Sequence, residues 1–90
     1  MTGVIDNAAA KRFELIEQGL LAFADYRLSK GRLVLPHVEA AVPLRGTGAA
    51  GRLMEGVLTL ARQRGLKVVP LCGYAVAYIG RHPEWGDLLV

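Results

Sequence analysis

Apolar and polar positions alternate from residue 11 onward, with Arg12 and Glu14 facing one way and Phe13 and Leu15 the other. A period of two is the pattern of a half-buried strand, which here ends near Glu17. Gln18-Gly19 reads as a short hairpin turn, followed by a second strand over 20–28 rich in small and aromatic residues. Ser29-Lys30-Gly31 turns the chain again, and a third strand follows over 32–42. Pro36 lies inside that strand. Proline has no N–H to give a ladder, so the spacing predicts a bulge there, or a backbone position on an open edge. The three strands should form an antiparallel meander.

The period then changes. Ala50, Leu53, Met54, Val57, Leu58 and Ala61 recur at helical spacing, while Arg52, Glu55, Thr59, Arg62 and Gln63 fall largely on the other side. This predicts a helix over 48–64, with Arg62 and Arg64 at the negative end of its dipole and Gly65 as its stop. Residues 66–71 form a short β-rich run. Strand, helix, strand with short links implies a right-handed crossover and a parallel pair. A second, short helix runs from 73 or 74 to 81 and Pro83 ends it. Residues 84–90 read as a tail with Trp85 packed back on the body, and residues 1–10 as a flexible arm. The class is therefore α+β, with one domain over 11–90.

Composition narrows this picture. Ninety residues, more than half of them apolar, can enclose one core but not two. The net charge of +3 favours anionic ligands, yet it is far from the basic excess of a dedicated nucleic-acid binder. The basic residues are scattered and no aromatic-basic platform interleaves them, which also disfavours nucleic acid. The lone cysteine, Cys72, excludes an internal disulfide and suits a reducing compartment. No apolar run approaches the ~20 residues that span a bilayer. These features read as a soluble cytoplasmic protein with no membrane partner.

Leu44-Arg45-Gly46-Thr47-Gly48-Ala49-Ala50 opens the predicted helix. Closely spaced glycines before a helix start let the backbone approach an anion, and the first-turn N–H groups then point at it. Gly46–Gly51 literally matches G-x-G-x-x-G, a weak signal alone. A dinucleotide fold wants an acidic residue about 20 positions on. The neighbourhood of Lys67–Cys72 has none, and a meander precedes the loop. A Walker loop is excluded because no Gly-Lys-Ser/Thr follows. A glycine-rich helix start without a ligand remains the alternative.

The same residues fit another pattern. Arg45-x-x-Gly48-x-Ala50 matches the R/Q-x-x-G-x-G/A signature of the GNAT superfamily of acetyl-CoA-dependent N-acetyltransferases. The chain further resembles a very small, single-domain, YjdJ-type subfamily with a cysteine after the second parallel strand. The likeness runs from Arg12-Phe13-Glu14-Leu15 through His37-Val38-Glu39, Leu44-Arg45-Gly46-Thr47-Gly48, residues 66–72 and Tyr78-Ile79-Gly80-Arg81-His82-Pro83 to Glu84-Trp85. It implies a minimal GNAT-like fold, acetyl-CoA as cosubstrate and no metal. The loop residues Arg45, Gly46, Thr47, Gly48, Ala49 and Ala50 would hold the CoA pyrophosphate. The pantetheine arm would lie between two splayed parallel strands, near Ala40. Pro36 departs from the pattern by occupying a strand position where the subfamily has a bonding residue.

Acetyl transfer requires an amine that loses a proton, a donor for the oxyanion and a proton for the departing thiolate. His37 and Glu39 alternate onto one face of the third strand, close to where a thioester would lie, and either could take a proton. Equally, His37 could be structural and Glu39 solvated. Cys72 precedes a helix N-terminus, which can make a thiolate nucleophile, or it is a small buried hydrophobe. By resemblance, Tyr78 takes the place of the tyrosine that protonates the CoA thiolate, with Tyr74 second to it. The acceptor amine is open: a metabolite, a protein lysine or an N-terminus. A CoA-binding or interaction module with little or no catalysis is the alternative reading.

Overall fold

The computed structural model describes residues 3–90. Five strands form one sheet in the order β1-β2-β3-β4-β5: Ile5–Asn7, Arg12–Glu17, Leu20–Ser29, Arg32–Ala40 and Lys67–Pro70. The first four run antiparallel to their neighbours, and β5 lies parallel to β4. Helix α1, Ala49–Gln63, makes the crossover from β4 to β5, and α2, Gly73–Arg81, follows. This is the expected α+β arrangement of a meander, one parallel pair and a short second helix.

The alternation in β2 and β3 sends Phe13, Leu15, Ala22, Ala24 and Tyr26 to one face, where all are buried. Leu53, Met54, Val57, Leu58 and Ala61 of α1 cover that face as the helical stripe predicts. The two alanines of β3 sit beside Phe13 and Leu15 of β2, so large and small residues alternate beneath the helix. The opposite face of the sheet carries Ile16, Phe23, His37 and Glu39, none of them buried.

Pro36 marks a bulge, one of the two outcomes its position predicts. Asp25 pairs with His37 and Arg27 with Val34, so Leu35 and Pro36 together oppose the single residue Tyr26. The extra residue reverses the parity of β4. Leu33 and Leu35 face the core before it, whereas Val38 and Ala40 do so after it. His37 and Glu39 are thereby turned to the open face.

Both chain ends differ from expectation. The segment over 1–10 is not a loose arm where it is described: Ile5–Asn7 pairs with β2, and residues 1 and 2 lie outside the described residues. Asp6 ties this strand down, accepting from the Tyr26 hydroxyl at 2.7 Å and from Arg64 at 2.8 Å. Residues 84–90 are not a simple tail either. Pro83–Leu88 is a 3₁₀ helix that buries Trp85 and Leu88, and Leu89 bridges to Val68. The Arg62 guanidinium lies 4.5 Å over the Trp85 ring and pairs with Asp87. The predicted packing of Trp85 on the body holds.

The parity switch depends on residue count rather than on proline itself. Pro36→Ala should keep the bulge and stay within about 1 kcal/mol of the wild type. Deleting Pro36 should drive Glu39 toward the core face and cost at least about 3 kcal/mol. Urea unfolding of the two variants measures both. Equal stability of the deletion would show that the register adapts.

Candidate functional site

The parallel strands part at Leu35. The last parallel pair is Leu35 with Pro70. The Leu35 carbonyl then accepts from two successive amides, Leu71 at 3.0 Å and Cys72 at 3.2 Å. Beyond that point β4 continues with nothing beside it on that edge. Ala41 donates to the Leu21 carbonyl at 2.9 Å, on the β3 side. Antiparallel pairing alternates, so the polar groups of His37 and Glu39 also face β3, while those of Val38 and Ala40 face the open edge.

A cavity of about 560 Å³ occupies the gap. Residues 37–40 form one wall, Leu44–Gly46 and Gly48–Gly51 the other, and Tyr74 lies at its border. The volume suits a small organic ligand. A 3₁₀ turn, Val42–Leu44, carries the chain from β4 to the loop, with Leu44 buried as its anchor. Gly46 and Gly48 have φ of +82° and +88°, a region that side chains disfavour.

The loop presents donors. Thr47 turns its hydroxyl inward, donating to the Leu44 carbonyl and accepting from the Ala49 amide at 3.3 Å. The first helical bond runs from the Arg52 amide to the Gly48 carbonyl. The amides of Gly46, Gly48, Ala50 and Gly51 therefore have no acceptor among the described residues. No acidic residue sits in the first turn to neutralise them. Arg45 is exposed beside them, and no carboxylate pairs with it among the described residues. Open amides, the positive end of a 15-residue helix and a free guanidinium together favour an anion.

Cys72 is the N-cap of α2, at the point where the strands part, and is half-buried. Burial pushes its thiol pKa up. The backbone amides of Ala75, Tyr74 and Val38 favour the thiolate and together outweigh that, leaving the pKa below the ordinary thiol value. Val38 is one of the residues whose amide faces the open edge, so register and sulfur contact agree.

The remaining predicted residues divide. His37 Nε2 and Glu39 Oε1 bond each other at 2.9 Å, both about half exposed, and both border the cavity. Thr47 acts through the loop rather than at the wall. Tyr78 is buried, stacks on His82 at 4.0 Å between ring centres, and does not line the cavity. Tyr74, second to it in the sequence reading, is the tyrosine on the wall. Burial raises the pKa of both phenols. Both phenols pack against α1 at Gly51, where a Cβ would lie 3.6 Å from the Tyr78 ring and 3.8 Å from the Tyr74 hydroxyl. Tyr74 and Tyr78 are four residues apart on one helix, so spacing alone put both on one face and could not rank them. Leu44 and Gly51 also line the cavity and were not singled out. The third glycine of the loop was the signal for Gly51, and Leu44 lies in the 3₁₀ turn, outside any helical period.

Among the described residues, no helix is long and apolar enough to cross a membrane, and no group of three or more His, Cys, Asp or Glu could hold a metal ion.

The Cys72 environment makes a measurable difference to reactivity. Its alkylation by iodoacetamide should titrate with a lower midpoint in the folded protein than in the protein unfolded in guanidinium. Because the folded value is the lower one, the thiolate adds stability above the ordinary thiol pKa, and this is lost as pH falls through the folded value. A folded midpoint at or above that of the unfolded protein would show that burial wins over the three amides.

No curated protein matches the chain. Residues 12–88, however, match the family model of the GCN5-related N-acetyl-transferases. That span runs from the first strand of the meander to the docked 3₁₀ helix and includes the whole cavity, and the chain belongs to this family.

Proposed function

We propose that the protein binds acetyl-CoA and transfers its acetyl group to an amine, within the very small subfamily that carries a cysteine after the second parallel strand. The observation that carries this reading is the cavity, with unbonded loop amides and Arg45 at one end and the unpaired edge of β4 along its wall. A diphosphate fits the amides of Gly46, Gly48 and Ala50, with Ala49 and Thr47 holding the turn that presents them. An extended amide-bearing arm fits the edge at Val38 and Ala40, which has the donors and acceptors of a missing strand. The thioester then falls near Val38 and Cys72. The lone free thiol fits a cytoplasmic setting.

The chemistry needs two proton transfers. Glu39, or His37 bonded to it, takes the proton of the attacking amine directly or through a water. The amine nitrogen bonds the carbonyl carbon, the Val38 amide donates to the oxyanion, and the carbon–sulfur bond breaks. Tyr74 on the wall, or Tyr78 behind it, returns a proton to the thiolate. The site also supports a covalent route. The Cys72 thiolate bonds the carbonyl carbon, the CoA thiolate leaves, and the amine then displaces Cys72 from the new thioester. The three amides on its sulfur favour that step.

Binding is tested with CoA in a calorimeter. Gly48 is a poor probe because any side chain there meets the backbone constraint at φ +88°. Ala50 has no such constraint, and an acidic residue in the first turn suits the helix. Ala50→Glu should remain folded and abolish CoA binding. Arg45→Ala should weaken binding about three- to tenfold. Wild-type affinity in Ala50→Glu would remove the ligand from this cavity.

Mass spectrometry decides the route. Protein mixed with acetyl-CoA and no acceptor should gain one acetyl group on Cys72, which an added amine discharges. The absence of an adduct, together with an active Cys72→Ser, would leave direct attack. Tyr74→Phe and Tyr78→Phe should separate the two phenols, with turnover falling in whichever supplies the proton and CoA affinity unchanged. CoA binding without turnover towards any amine would leave a CoA-binding module.

A further inference from the structure

Arg52 lies on α1 beside the loop, yet it does not line the cavity. Its guanidinium makes three bonds. Nε and Nη2 hold the two carboxylate oxygens of Glu17, each at 2.7 Å, and Nη2 also donates to the Thr47 carbonyl at 3.1 Å. Glu17 ends β2, and its backbone is fixed by pairing with Leu20 across the hairpin. The guanidinium is thus anchored to the sheet at one side and grips the loop at the other.

The grip falls on one peptide unit, Thr47–Gly48. In a trans peptide the C=O and N–H point in opposite directions. Holding the Thr47 carbonyl toward Arg52 therefore turns the Gly48 N–H away from Arg52. Gly48 lines the cavity, and its amide has no acceptor among the described residues. This peptide is prone to turn over, because glycine follows it and Gly46 precedes it, both at positive φ. The turned-over form would aim a carbonyl oxygen at a bound anion in place of a donor. Gly48 also leaves room for the guanidinium, since a Cβ there would lie 2.9 Å from Nη1.

We propose that Arg52 and Glu17 form a positioning latch, which holds the Thr47–Gly48 peptide with its N–H toward the diphosphate of the ligand. This rests on the reading of the cavity as a CoA site. Arg52 is a positioning residue and makes no contact with the ligand. The pair is on the surface, where a salt bridge adds little to stability, so removing it should act on the loop and not on the fold.

The test compares the wild type with Arg52→Lys, Glu17→Gln and the double variant. CoA affinity is measured by calorimetry and the Gly48 amide by NMR. Lysine keeps the charge but cannot span both carboxylate oxygens and the carbonyl. If the latched orientation falls to about a tenth of the population, the apparent Kd rises about tenfold. Arg52→Lys should show that rise, Glu17→Gln a smaller one, and the double variant no more than Arg52→Lys alone. The Gly48 resonance of the unliganded variants should broaden from exchange between two peptide orientations, while thermal midpoints stay near the wild type. Unchanged affinity in Arg52→Lys would overturn the latch. So would loss in Arg52→Lys with full affinity in Glu17→Gln, which would make Arg52 a direct phosphate contact. Failure of the wild type to bind CoA would instead overturn the reading on which the latch rests.

Discussion

The Leu35 carbonyl governs the site. It closes the parallel pairing by accepting from both Leu71 and Cys72, and thereby spends the last backbone bond that β5 makes to β4. β4 runs on to Ala40 without a neighbour on that side. Backbone groups at such an edge need partners from somewhere, and here they line an open cavity. The same bond fixes Cys72 at the mouth of the split, so that one amide of the exposed strand reaches its sulfur. Strand parting, cavity and thiol placement follow from a single carbonyl.

The bulge works with this bond. A regular strand through residue 40 would keep the parity of Leu33 and Leu35 and send His37 and Glu39 into the core. One additional residue moves Val38 and Ala40 inward instead and leaves the two polar side chains on the solvent face. Pro36 sits there because it has no N–H to lose. The proline therefore falls where the ladder is already broken.

The strands of the meander, α1 and β5 were legible because each has a strong period and a clear stop. The period-two run from Arg12 buries Phe13 and Leu15, and the helical stripe buries Leu53, Met54, Val57, Leu58 and Ala61, while Ala50, its first member, lies half-buried on the cavity wall. β1 escaped because three residues carry no measurable period, and its partners, Tyr26 and Arg64, are distant in sequence. The terminal 3₁₀ helix escaped for the same reason, although Trp85 betrayed its docking. The turn before α1 was legible from Gly46 and Gly48, both of which take positive φ. Its latch was not. Arg52 and Glu17 are 35 residues apart, and their meeting depends on how α1 lies across β2. The tyrosines show the limit of spacing: it puts both on one helical face, whereas in the structure Tyr78 is buried against His82 and Tyr74 meets the cavity.

The Val38 amide connects the two proposed routes. It favours the Cys72 thiolate, yet in the proposed routes it is also the donor placed for an oxyanion on the edge of β4. One N–H cannot fully serve both. In direct attack by an amine, Val38 would have to leave the sulfur as charge develops on the carbonyl oxygen, so some stabilisation of the thiolate is lost in gaining the oxyanion. In the covalent route the negative charge itself moves from sulfur to oxygen as the bond forms. The amide then follows the charge over a short distance, and Tyr74 and Ala75 release a sulfur that no longer needs them. On the proposed reading, the arrangement of donors therefore suits a charge that starts on Cys72 better than one that starts elsewhere.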